Sequence, residues 1–362
     1  MLAGWQVGRG LWLLSAAPRR PHSMVAGDLE LRQEDSGRWF AGQPIYGNIL
    51  ASHPPASMVL LYPWVGRWPF PQARALFAAT NALLLAALIV LFARASAPHG
   101  AVAQATVACA PLAGEAVRHT LGLGQVGLLS LVPAVFATWL ALGQRAKAGS
   151  IAVAAGLLLS LVKPAIAVPF VLLAAVGQPF SAALAGIAYA VVTVLAARFQ
   201  PDGVLSLLWQ WFDNSRSWYR TWGAGYGSVP VWLERDMALP AGSGSAGSLL
   251  VLAAFATWLF KHRTGDRWLL IGAASLVSRL WTVHRIYDDV VVAPSFVALF
   301  RLAADSSREA ALRGHAARLF WANAVASLLP VGRSAVLPVL WLLSLLLIGK
   351  AVSGPPSVRA ER

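Results

Sequence analysis

Residues 71–93 read PQARALFAATNALLLAALIVLFA, with a single charge, Arg74, near the start. As an α-helix rising about 1.5 Å per residue, such a stretch crosses a hydrocarbon core of roughly 30 Å. No water is available there, so every backbone N–H and C=O must be satisfied within the segment, and the segment is predicted to be helical. Reading outward with a window of about 19 residues, further apolar runs fall at 101–117, 126–142, 149–162, 164–176 and 179–197. After a polar and aromatic interruption they resume at 246–260, 266–281, 289–304, 317–330 and 335–350. The pattern predicts an all-α, polytopic integral membrane bundle with about eleven crossings, some tilted, fused or half-membrane because their runs are short.

Composition agrees. Of 362 residues 57% are hydrophobic and 12% charged, against about 25% charged in soluble domains, which excludes a soluble enzyme. The 29 Lys and Arg give a net charge of +14, but they lie between apolar runs and form no basic stripe. They read as topology determinants and contacts to anionic membrane lipids, not to nucleic acid. The single cysteine, Cys109, allows neither an intrachain disulfide nor a thiolate metal cage. Residues 1–27 make a poor span: the apolar patch 11–17 is broken by Pro18, Arg19, Arg20 and Pro21, so a first span is expected to be missing and this segment poorly defined. One transmembrane domain is expected over 28–350, with extracytoplasmic loops 28–70 and 198–245 and a cytoplasmic tail 351–362.

If each run crosses once, Arg145 and Lys147 share a side with Lys261, Arg263, Arg267, Arg301, Arg308, Arg313 and Arg318. The positive-inside rule makes that side cytoplasmic, together with Lys350, Arg359 and Arg362. The same parity gathers the chemically unusual segments on the other face. These are 27–55, the tip 115–125, the Lys163-Pro164 turn, the loop 198–244 and the tip 279–289. Ionisable groups near membrane depth are costly, so their collection on one face points to a site.

Among the acids Asp28, Glu30, Glu34 and Asp35, which precede Trp39, Gly42 and Tyr46, a desolvated carboxylate can act as a general base. Spacing does not choose among the four. His53-Pro54-Pro55 forbids a regular helix and predicts a rigid turn, with catalysis by His53 a minor option. Gly124-Gln125 precedes a helix start whose amides favour an anion. Lys163 sits inside an apolar run, where an ammonium must snorkel or pair. The tryptophans and tyrosines of 198–244, with Arg216, Arg220 and Arg235, suit an amphipathic helix in the headgroup plane. His284, Arg285, Tyr287, Asp288 and Asp289 form the densest polar group at a span end and offer a cation for phosphate. A divalent cation there is conceivable, but the spacing is no metal signature.

In this order, Asp28, Gly42, Tyr46, Pro54-Pro55, Gly124-Gln125, Lys163-Pro164 and His284-Arg285-Ile286-Tyr287-Asp288 resemble the pattern of glycosyltransferase family 87. This is a polyprenol-phosphate-dependent family of the GT-C superfamily. The likeness runs from Asp28 to about residue 300; it departs at Gly127, where the family often has Asn, and near Ser228, which lacks a neighbouring Asn. The resemblance implies a GT-C-type bundle that moves a hexose, mannose by family analogy, from a polyprenyl-phosphate donor to a lipid or glycan acceptor. Transfer would invert the anomeric carbon on the extracytoplasmic face of the cell membrane. It implies Asp28 as catalytic base, Lys163, His284, Arg285 and Gln125 around the donor phosphate, Tyr46, Tyr287 and Asp288 on the substrate, and no metal or cofactor. Two other expectations compete: a lipid-linked glycan transporter or flippase, which should show internal repeat symmetry that the sequence lacks, and a catalytically inactive relative.

Overall fold

A computed structural model describes residues 1–17, 25–48, 50–143, 149–222, 226–329 and 333–354, with the side chains of 218–222 and 333–335 outside the description. Arg145, Lys147, Arg359 and Arg362, and the side chains of Trp218, Tyr219, Arg220 and Trp222, therefore lie outside the described residues. The described chain is helical, with no strand. In order, the helices are α1 (Leu2–Ser15), α2 (Gly27–Phe40), α3 (Pro55–Val65), α4 (Phe70–Ser96), α5 (Ala101–Cys109), α6 (Glu115–Leu123), α7 (Gly127–Ala141), α8 (Ser150–Ser160) and α9 (Pro164–Gly177). There follow α10 (Pro179–Ala197), α11 (Val204–Trp222), the short α12 (Val229–Val231), α13 (Ser243–Lys261), α14 (Arg267–Leu280), α15 (Ala293–Ala304), α16 (Ala310–Leu328) and α17 (Arg333–Ser353).

Four of these segments are individually long and apolar enough to cross a membrane: Phe70–His99, Pro179–Ala197, Ser243–Lys261 and Val336–Ser353. A fifth arises if α6 and α7, bent by 115° at their junction, count as one broken span. The eleven crossings expected from hydropathy are thus not all matched by helices of spanning length. The run 101–117 is split at Pro111 and Gly114 into α5 and α6, and α3, α8 and α9 are shorter apolar helices. Of the segment 1–27, residues 18–24 lie outside the described residues. Residues 2–15 form α1, whose Gln6, Gly10 and Leu14 are buried on one stripe. At Gly10 the absent side chain lets Leu121 of α6 approach, since a Cβ would stand 2.7 Å from the Leu121 Cβ.

The centre of the bundle is α14. Every residue from Trp268 to Leu280 is buried, Arg279 included, and the helix packs against α9, α15 and α17. Its start is capped by Asp266, whose carboxylate accepts from the Trp268 N–H at 2.8 Å and pairs with Arg301 at 2.8 Å. Its other end leads into Trp281, His284 and a 3-10 turn, Ile286–Val292. At about 1.5 Å per residue, roughly 21 Å of buried helix separates the two ends.

The basic loops collect at the Asp266 end. A cavity of about 1010 Å³ there is lined by Lys261, His262, Arg267, Arg301 and Arg308 among others. Asp28, Lys163 and the 284–289 group belong to the opposite end.

Candidate active site

The second helix is the polar element of the fold, and it turns part of its polarity inward. Leu29, Arg32, Asp35, Ser36 and Trp39 are buried, whereas Glu34 faces out. The Trp39 indole donates to the Ala196 carbonyl of α10 at 2.9 Å. The other end of α2 is stitched to α6 by the Ala26 N–H on the Gly122 carbonyl, 2.8 Å. At this junction Gly124 ends α6 with φ +72°, a left-handed conformation open to glycine at little cost. A Cβ on Gly124 would lie 2.6 Å from the Leu29 Cβ, so its absence lets α2 lie directly on the bend. Gln125 follows, and its amide Nε2 donates to Asp28 Oδ2.

Of the four acids in 28–35, the fold therefore brings Asp28 to the bend. Burial pushes its pKa above the ordinary carboxylate value, against the pull of Arg32, the Gln125 hydrogen bond, Lys163 and Arg285. Asp35 is committed to Arg32 at 2.7 Å.

Lys163 projects from the turn between α8 and α9. Pro164 opens α9 and restrains Lys163 to an extended conformation, φ −132° and ψ 85°. Hydroxyls from neighbouring helices pin the turn: Ser57 donates to the Val162 carbonyl at 2.7 Å, and Ser130 to the Ser160 carbonyl at 2.6 Å. The ammonium, with 15% of its side chain exposed, pairs with Asp288 and lies 5.4 Å from the Tyr287 ring centroid. This apolar-run lysine has found a counter-charge.

Asp288 is the hub of the 3-10 turn. Its Oδ2 stands 3.3 Å from His284 Nδ1 and accepts from the Arg285 N–H at 3.3 Å. Burial alone would raise its pKa, but Lys163 and His284 outweigh that and hold the carboxyl below its usual range. His284 is buried, and its Nε2 donates to the Ser278 carbonyl at 2.8 Å. That contact leaves Nδ1, facing Asp288, as the nitrogen where a proton comes and goes. Burial draws the His284 pKa down, with Asp288 opposing. Tyr287 is tied through its carbonyl to Thr120; burial and the carboxylates Asp288 and Asp28 keep its phenol protonated.

Asp28, Gln125, Lys163, His284, Arg285, Tyr287 and Asp288 thus converge at one end of the bundle, and the charges of Arg32, Lys163 and Arg285 all act on Asp28. Tyr46 stands one step back. Its ring meets Trp39 edge-on at 5.9 Å and its hydroxyl donates to the His53 carbonyl at 2.9 Å. His284 likewise meets protein groups with both nitrogens, so it reaches the rest of the site through Asp288.

Arg32 was passed over in the sequence, and His53 was read there chiefly as part of a rigid turn. Arg32 donates to Asp35, to His53 Nδ1 at 3.0 Å and to the Leu50 carbonyl at 2.9 Å; its position four residues after Asp28 on a helix was the available signal. His53 is buried in the same cluster. Among the described residues no group of three or more His, Cys, Asp or Glu side chains is placed to hold a metal ion.

A family model described as glycosyltransferase family 87 matches residues 52–303. That span contains His53, Gln125, Lys163 and the 284–288 element, while Asp28, Arg32 and Tyr46 precede it. No curated protein and no solved structure matches the chain.

Proposed function

We propose, from the premise that this chain belongs to glycosyltransferase family 87 and is a membrane glycosyltransferase, that it transfers a hexose, mannose by family analogy, from a polyprenyl-phosphate donor. The acceptor is a hydroxyl of a lipid or glycan. The carrying observation is one carboxylate, Asp28, raised in pKa by burial and set within the field of Arg32, Lys163 and Arg285. A raised pKa brings a carboxylate closer to the operating pH, where a general base works best.

In the proposed step, Asp28 takes the proton of the acceptor hydroxyl as its oxygen bonds to the anomeric carbon. The bond from that carbon to the donor phosphate oxygen breaks, and the electron pair leaves with polyprenyl phosphate. Attack opposite the leaving group inverts the anomeric centre. Before transfer the carboxylate and the phosphodiester carry one negative charge each. Afterwards Asp28 is neutral and the phosphate monoester carries up to two, its second pKa being about 6. Negative charge therefore moves from Asp28 towards the phosphate, and cations held beside that group, Lys163 and Arg285, stabilise the displacement more than the ground state. The scheme asks for no resident cofactor.

The basic residues at the Asp266 end support placing that end in the cytoplasm and the Asp28 end on the extracytoplasmic side of the cell membrane. The exposed Leu205, Trp209 and Phe212 of α11 suit an interfacial helix beside the site. The test is turnover of radiolabelled polyprenyl-phosphate hexose by membranes holding wild type, Asp28→Asn or Lys163→Ala. Loss in both variants is expected; equal turnover in all three refutes the assignment.

A further inference from the structure

His53 has a fixed protonation pattern that gives it a use. Its Nδ1 lies 3.0 Å from Arg32 NH1. A guanidinium only donates, so Nδ1 must accept, and the neutral ring carries its proton on Nε2. The histidine is 7% exposed, and Nε2 has no hydrogen-bond partner among the described residues. The backbone on either side allows little adjustment: the Tyr46 hydroxyl grips the His53 carbonyl at 2.9 Å, and Pro54 and Pro55 follow. Arg32 is itself locked by Asp35 and the Leu50 carbonyl. Charged groups acting on the ring come from three elements: Arg32 on α2, Lys163 before α9, and Asp288 on the 3-10 turn. Burial, Arg32 and Lys163 disfavour the imidazolium, with Asp288 opposing them. With one nitrogen occupied by Arg32 and the other protonated, the ring is no general base. It is an oriented N–H donor, and buried donors without partners are rare enough to require an explanation.

We propose that His53 Nε2–H donates to a phosphate oxygen of the lipid-linked donor, as a neutral companion to the cations Lys163 and Arg285. This contact rests on the donor reading given above. A neutral donor suits the position, because it binds the anion without adding a positive charge that would lower the raised pKa of Asp28.

His53→Asn and His53→Gln separate the two ring functions. An Asn oxygen can still accept from Arg32 near the Nδ1 position but leaves no donor at Nε2, whereas a Gln amide restores a donor there. Binding of polyprenyl phosphate and of polyprenyl-phosphate hexose is measured on the full chain in lipid nanodiscs, alongside turnover, thermal unfolding and ¹⁵N-histidine NMR. Losing a hydrogen bond to a charged acceptor weakens binding on the order of tenfold or more. His53→Asn should weaken both ligands by about that factor, leave the unfolding temperature and the pH profile of kcat in place, and be partly rescued in His53→Gln. The NMR signal lost in His53→Asn should show a neutral ring protonated on Nε2.

Wild-type affinity in His53→Asn overturns the proposal, as does weakening of the sugar-bearing ligand alone, or a ring that is charged or protonated on Nδ1. A wild-type chain that binds neither lipid overturns the donor reading and this contact with it. Retained binding and turnover with an unaffected His53→Asn overturns the contact only.

Discussion

Replacing Gly124 with alanine tests whether Asp28 is positioned by the way α2 lands on the bend between α6 and α7. Gly124 has φ +72°, and holding an L-residue in that left-handed region costs about 1–2 kcal/mol. The new Cβ would also stand 2.6 Å from Leu29 Cβ and 3.4 Å from the Leu29 backbone nitrogen, where carbon atoms normally rest at about 3.5–4.0 Å. The clash is with the root of the Leu29 side chain, so a rotamer change does not relieve it, and α2 must retreat by about 1 Å. Leu29 adjoins Asp28 and Gly124 adjoins Gln125, so the retreat separates the carboxylate from the amide that orients it. A displacement of about 1 Å at a reacting group costs on the order of a hundredfold in rate. Overpacking adds about 1–3 kcal/mol of destabilisation to the backbone strain.

Gly124→Ala should therefore melt lower and, below its melting temperature, turn over lipid-phosphate sugar about a hundredfold more slowly. Gly122→Ala is the control. That residue lies inside α6, and its Cβ would meet the Leu13 side chain at 3.1 Å, a contact the flexible Leu13 Cδ1 can yield. Turnover and tryptophan-detected unfolding on both variants decide the matter. Wild-type turnover in Gly124→Ala, or an equal loss in Gly122→Ala, refutes the reasoning.

Three further outcomes follow from the charges. The folded pKa of Asp28 is raised above an unfolded value of about 3.9, so ionising it costs folding free energy at every pH above that unfolded value. Asp28→Asn should abolish turnover yet raise the unfolding temperature at pH 7, with the gain disappearing below about pH 4. An unchanged or lower melting temperature at pH 7 contradicts the burial argument. In the wild type, kcat/KM should fall as pH drops through the raised Asp28 pKa. Lys163→Met leaves Asp288 buried without its ammonium partner and should cost about 3–5 kcal/mol. Adding Asp288→Asn should recover most of that stability and none of the turnover. Equal denaturation midpoints for the single and double variants refute a working Lys163–Asp288 pair.

Much of the helical pattern was legible because hydropathy windows register what they measure. The runs 71–93, 126–142, 164–176, 179–197, 246–260 and 335–350 all lie on helices. The number of crossings was less legible, since apolarity does not distinguish lipid from protein as its cause. Helix α14 is apolar because it is enclosed by α9, α15 and α17, and its 14 residues fall short of a span. A window also passes over Pro111 and Gly114, where the chain breaks between α5 and α6. At the site, the stripe Asp28, Arg32, Asp35 and Trp39, spaced at four, three and four residues, was readable as one helix face. What that face met was not. The contacts from Gln125 to Asp28 and from Lys163 to Asp288 join positions 97 and 125 residues apart, and a single sequence holds no trace of such pairings.

The consecutive acids Asp288 and Asp289 are turned to different partners. In a 3-10 turn neighbouring side chains project about 120° apart, so the two carboxylates face different sides of the turn. Asp288 turns to Lys163 and His284. Asp289 turns into the bundle, where its Oδ1 accepts from Arg279 Nε at 2.7 Å and its Oδ2 meets the Tyr226 hydroxyl. The Arg279 guanidinium lies 4.8 Å from the Tyr226 ring centroid and 4.6 Å from that of Trp341. A fully buried guanidinium–carboxylate pair repays its desolvation only with good geometry and further contacts, and here the two rings and the Tyr226 carbonyl, 3.1 Å from Arg279 NH2, provide them. The clasp joins α14, the 3-10 turn, the Tyr226 loop and α17. By holding the turn from behind, it fixes the direction in which Asp288 faces Lys163. Each acid has its own partner set, so the Lys163 ammonium and the His284 ring are held against Asp288 while Asp289 anchors the turn from behind.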